Sequence, residues 1–174
     1  MALWHTVLRI LRHSSLGAAD VRRAVPPALL ERLGHRVSAS EQRHTGEIRI
    51  YIEAGLPLSY LWRKAVVRER AVMLFGKLGV WDTEHNNGVL IYLLLAERSI
   101  ELVADRGLNQ RISAQEWQAM VEHLGTALHA GRYEEGLTQA LEEVSAALVQ
   151  HFPLQAGLLR RNELPDLPLL DAAG

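Results

Sequence analysis

The sequence predicts an α/β domain: a small mixed sheet on a strand-helix-strand-strand core, with helices on its faces. Three observations carry this. Ile48, Ile50 and Ile52 alternate with Arg49, Tyr51 and Glu53; every position from Val89 to Leu95 is apolar; and the segments around these two runs repeat their apolar residues at helical spacing. A length of 174 residues, 48% of them hydrophobic and 22% charged, suits one domain that folds alone around its own core.

The chain opens with Leu3, Trp4, Val7, Leu8, Ile10 and Leu11 at helical spacing among His5, Arg9 and Arg12, a short basic amphipathic helix. Its apolar stripe is expected to pack on this domain or a partner; lying on a membrane surface is the alternative. Pro26 and Pro27 suit the first turn of a second helix with the stripe Leu29, Leu30, Leu33 and Val37, and Gly46 is expected to end it. The alternating segment from Ile48 to Glu53 then reads as a strand with one buried and one polar face, placed near an edge.

After Pro57, the residues Leu58, Leu61, Trp62, Ala65, Val66, Val72, Met73 and Leu78 predict one long helix. Its cations Arg63, Lys64, Arg68, Arg70 and Lys77 read as a solvated face, because the aromatic side chains that stack on bases are missing among them. The run from Val89 to Leu95 demands cover on both faces and is the central strand. Glu97 and Arg98 form a polar tip before a third strand around Ile100 and Leu102, making a hairpin.

Ser113 and Glu116 form a capping box for a helix with the stripe Trp117, Met120, Val121, Leu124 and Leu128, closed by Gly131. A last helix from Tyr133 buries Leu137, Ala140, Leu141, Val144, Ala147 and Leu148 until Phe152 and Pro153 stop it. The tail, with prolines at 165 and 168, has no helical period and is expected to wrap the surface. Residues 1–25 thus form an N-terminal helix and linker, 26–152 the α/β domain and 153–174 the tail.

Composition excludes several classes. A formal charge of −1 gives no overall field toward nucleic acid, and none is expected as a partner. Without cysteine there is no zinc-cysteine site, and no haem or nucleotide motif stands out. The apolar runs are too short to span a bilayer, and Arg9, Arg12 and His13 break the pattern of a signal peptide, so a cytoplasmic location, peripheral to the inner membrane at most, is expected.

A helical crossover makes the first two strands parallel, and the hairpin turns the third back. The loop entering the second strand and the loop leaving the third therefore meet at one end of the sheet. The first carries Asp82, Thr83, Glu84, His85, Asn86, Asn87 and Gly88, and the second Asp105, Arg106 and Gly107. Such carboxylate and amide oxygens are what calcium or magnesium needs, which makes Asp82, Glu84, Asn86, Asn87 and Asp105 the candidate metal ligands. The same residues also build ordinary turns. His85, Arg106 and Gly107 are the candidate ligand-binding residues; His85 exchanges a proton near neutral pH, and the Arg106 fork suits phosphate or carboxylate.

The stretch from Leu74 to Gly107 resembles the TPM-domain family, of the thylakoid-lumen phosphatase-like, photosystem II repair type. The telling pieces are Trp81-Asp82-Thr83-Glu84-His85-Asn86-Asn87-Gly88 and Ala104-Asp105-Arg106-Gly107. The likeness runs from about Gly46 through Tyr133-Glu134-Glu135-Gly136-Leu137, and Asn162-Glu163-Leu164-Pro165-Asp166 is similar to a proteobacterial branch. It implies an α/β/α sandwich and a site on the same two loops. It implies either a non-catalytic accessory domain, binding a divalent cation or a LemA-type or other membrane-associated protein, or a weak metal-assisted acid phosphatase.

Overall fold

The computed structural model describes residues 2–155, 157 and 161–171, with side chains from residue 7 onward. The elements in order are α1 (Ala2–Ser14), α2 (Ala18–Ala24), α3 (Pro27–Glu41), β1 (Ile48–Glu53), α4 (Leu58–Trp62), α5 (Val67–Lys77), β2 (Val89–Leu94), β3 (Ser99–Ala104), α6 (Arg106–Asn109), α7 (Ala114–His129), α8 (Tyr133–His151) and β4 (Leu169–Asp171). The four strands lie in the order β3-β2-β1-β4. β1 runs parallel to both β2 and β4, with Ile50 opposite Ile91 and Ile52 opposite Leu170, and β3 returns antiparallel to β2.

Strand periodicity divides the core in two. Ile48, Ile50 and Ile52 of β1 and Val89, Ile91 and Leu93 of β2 face one layer, where they meet Leu29 and Leu33 of α3, Leu124 and Leu128 of α7, and Leu141 and Val144 of α8. Their neighbours Tyr51, Leu90, Tyr92 and Leu94 face the other, against Leu61 of α4, Ala71 and Leu74 of α5, and Ile10 of α1. Two-sided cover makes a three-layer α/β/α sandwich, and the unbroken apolar run of β2 is its consequence.

β1 lies one strand in from the edge, but its second face is buried where a polar one was expected. Tail residues Leu169–Asp171 pair beside it, all six of its residues are buried, and the polar ones carry partners. The Arg49 guanidinium donates to the carbonyls of Pro165 and Leu167, and Tyr51 Oη donates to Asp171 at 3.1 Å. The fully buried Glu53 accepts from Tyr92 Oη at 2.6 Å and from both ends of the Arg70 fork. Burial, with the Glu53 charge adding to it, pushes the Tyr92 phenol far up, and burial followed by Asp171 pushes Tyr51 up to about 12.

Three further boundaries differ from the sequence reading. α3 ends at Glu41, five residues before Gly46. α2 is a seven-residue helix in the stretch taken as linker. The long helix after Pro57 is two helices, broken where Lys64 takes a φ of 55°. The expected solvated cations are also largely paired: Arg70 to Glu53, Arg68 to the Leu102 carbonyl and Glu101, and Arg63 to Glu69.

α1 is pinned by its last turn. His13 is 4% exposed; its Nδ1 accepts from the Leu56 amide at 2.9 Å, which puts the ring proton on Nε2, 3.0 Å from Glu97. Arg9 donates to the same carboxylate at 2.8 Å, and the His13 bond followed by Arg9 holds Glu97 below the usual carboxylate range. The stripe splits: Ile10 packs on the second core, whereas Val7, Leu8 and Leu11 face solvent, as does Trp62 of α4. The expected positions Leu3 and Trp4 lie outside the described side chains.

Candidate functional site at the sheet end

The two polar loops meet as the topology requires. The Asp105 amide donates to the Gly88 carbonyl at 2.9 Å, continuing the β2–β3 ladder by one step. The Gly107 amide donates to the Asn86 carbonyl at 2.9 Å, and Arg106 Nη2 reaches Asn86 Oδ1 at 3.3 Å. The approach is close enough to exclude side chains: a Cβ on Gly107 would lie 2.4 Å from the Asn86 oxygen and 2.9 Å from that of His85. Asn86 itself adopts a φ of 52°, a conformation asparagine tolerates better than most residues.

The candidate residues divide by role. Asn87 is fully buried and holds the loop together: its Nδ2 donates to Thr45 Oγ1 at 3.1 Å, its amide to Thr83 Oγ1 at 3.1 Å, and its Oδ1 accepts from Thr83 at 3.4 Å. Asp105 is 9% exposed and caps α6, accepting from the Arg106 amide through Oδ1 at 2.7 Å. Its Oδ2 is buried and has no hydrogen-bond partner among the described residues. Asp82, Glu84, His85 and Arg106 are exposed.

One carboxylate joins the cluster from a place the sequence reading passed over. Both oxygens of Glu163 accept from the Glu84 amide, at 3.3 and 3.2 Å, which brings the tail onto the loop. The tail is held there by the Leu164 amide donating to the buried Glu47 at 3.1 Å and by Arg49 below it. The only sequence signal for this was the Asn162–Asp166 segment, which spacing alone does not connect to residues 82–88.

Among the described residues no group of three or more His, Asp or Glu side chains is gathered closely enough to hold a metal ion. A cation here would therefore take Asp105 together with amide and backbone oxygens. That mixed oxygen set suits a hard ion such as calcium, which accepts carbonyl and amide ligands beside carboxylate.

A TPM domain profile matches residues 21–147, which take in most of both cores and both loops of this site. The chain belongs to the TPM-domain family. No curated protein matches it. Among solved structures, the NMR structure of BA42 protein from the psychrophilic bacterium Bizionia argentinensis superposes with a TM-score of 0.72 at 23% identity, covering 84% of this chain and 94% of that one. At that identity the likeness is one of fold, and the TPM sandwich it supports agrees with the two cores described above.

Proposed function

We propose that this TPM domain is an accessory module that binds a divalent cation, calcium or magnesium, where the loop of residues 82–88 meets Asp105. The observation that carries the reading is Asp105 Oδ2, a carboxylate oxygen removed from water with no donor among the described residues to compensate it. A buried carboxylate is costly unless paired or coordinated to a metal, and a cation would satisfy it. Asn86 would add amide oxygen, and Asp82, Glu84 and Glu163 would raise the local negative charge.

Calorimetric titration with calcium, then magnesium, tests this. With so few carboxylates the affinity is expected in the weak range, roughly 10⁻⁴ to 10⁻³ M. Asp105→Asn should abolish the heat, whereas Glu163→Gln should only weaken it. Binding that survives Asp105→Asn rules the site out. Turnover of a phosphomonoester that requires both the metal and Asp105 would extend the site to metal-assisted phosphoryl hydrolysis with Arg106 on the phosphate.

A second reading, contact with a membrane-associated partner or the membrane surface, is favoured by the outward-facing Val7, Leu8 and Leu11 of α1. Amphipathic helices bind an interface through such apolar side chains. The full chain is expected to float with anionic liposomes, and a chain lacking residues 1–15 to stay behind. Equal recovery of the two forms removes α1 from any membrane role.

A further inference from the structure

Beside the same end of the sheet, α3 and α8 flank an open groove of about 230 Å³ lined by Arg36, Ser40, Arg43, Leu141, Glu142 and Ser145. Behind it lies a hydrogen-bond chain whose direction can be worked out. His44 is fully buried, and its Nδ1 is 3.1 Å from the Gly46 carbonyl oxygen. A carbonyl only accepts, so Nδ1 carries a proton, and with that single ring proton Nε2 is an acceptor. Ser40 Oγ, 2.9 Å from Nε2, therefore donates to it.

With that proton committed, the contact between Ser40 Oγ and Ser145 Oγ is donated by Ser145. Ser145 Oγ is left with lone pairs, and Arg43 Nη2 donates to it at 2.7 Å. Ser40 and Ser145 are 4% and 2% exposed, so the chain is fixed by the core beneath it. It holds the Arg43 guanidinium at the cavity through a neutral partner.

That leaves a positive charge uncompensated. Among the described residues Arg43 makes no ion pair, and Arg36 makes only a loose, exposed one with Glu142 at 3.6 Å. Exposed pairs of that kind contribute little and exchange readily. Guanidinium forks match the oxygen geometry of phosphate, and each keeps donors beyond those used here.

We propose that this groove binds a small phosphate-bearing molecule, its phosphate held between Arg43 and Arg36 in place of Glu142. The groove uses none of the candidate residues of the sheet-end loops, although it borders them where Asn87 donates to Thr45. The charges that oppose binding are Glu142 and the negative C-terminal end of α3, and the first of these can be removed at will.

The test is an NMR titration of the ¹⁵N-labelled full chain with inorganic phosphate, ionic strength held constant with sodium chloride. Saturable shifts are expected at amides of residues 36–43 and 141–145. Arg43→Gln, at an exposed position, should weaken binding about tenfold or more, the cost of a charge-assisted contact, with an otherwise unchanged amide spectrum showing that the variant is folded. Glu142→Gln should tighten it, which a purely structural role for the arginines would not produce. Shifts that fail to saturate, that map elsewhere, or that are unchanged in Arg43→Gln overturn the proposal.

Discussion

Replacing Glu53 with alanine is expected to destabilise the protein by about 3–5 kcal/mol, the usual cost of removing one partner from a buried ion pair. The carboxylate is fully buried beneath α5 and serves three donors at once, the two ends of the Arg70 fork and Tyr92 Oη. Its loss strands a guanidinium whose side chain is only 11% exposed and a phenol with none of its surface in water. Tyr92→Phe removes one bond and no charge, and should cost about 0.5–3 kcal/mol, the span between a neutral hydrogen bond and one to a charged group. Urea unfolding midpoints of the two variants check the order. A loss below about 1 kcal/mol for Glu53→Ala, the level of a surface pair, would mean that Arg70 swings to solvent without penalty and that the pair is not buried in solution.

The same residue shows where sequence reasoning stops. In the segment from Ile48 to Glu53 the alternation correctly assigned the isoleucines to one layer, but period two says only which residues share a face, not whether that face meets water. The partners of Arg49 and Tyr51 lie at residues 165–171, more than a hundred positions away, in a tail with no period of its own. Polar residues on a strand thus read as exposed when they are buried and paired. The run from Val89 to Leu95 was legible because apolar character on both faces has one physical meaning, cover on both sides. Local spacing also failed between Leu58 and Leu78, where the apolar period continues across the break at Lys64.

The site was legible to the extent that topology determines it. A parallel crossover followed by a hairpin must bring the entry of β2 and the exit of β3 together, and the contacts of Asn86 with Arg106 and Gly107 follow. Which loop residues face the junction does not follow. The reading gave Asn87 and Asp105 the same role, yet Asn87 spends its side chain bracing the loop while Asp105 keeps a buried oxygen in reserve. Glu163 was beyond reach for the same reason as β4.

The junction also leaves Gly88 less room for a side chain than any other described glycine. A Cβ there would lie 2.0 Å from the Val80 carbonyl oxygen and 3.1 Å from Val80 Cγ1, the closest approach of any glycine described. Val80 cannot step aside cheaply: it is fully buried, and its amide is bonded to the Phe75 carbonyl at 3.1 Å. The strain must therefore open the loop of residues 80–88 or shift the start of β2, and Gly88→Ala is expected to cost about 3 kcal/mol, the upper end for overpacking. Gly125→Ala, in the middle of α7 with nothing within 4 Å of the added carbon, should instead stabilise by about 0.5–1 kcal/mol. Denaturant midpoints give both values. Because Gly88 also accepts the Asp105 amide, the first variant should lose cation binding along with stability. Stability lost with calorimetric heat retained would show that the cation is held by Asp105 and its neighbours without the loop, and would move the binding site off the junction.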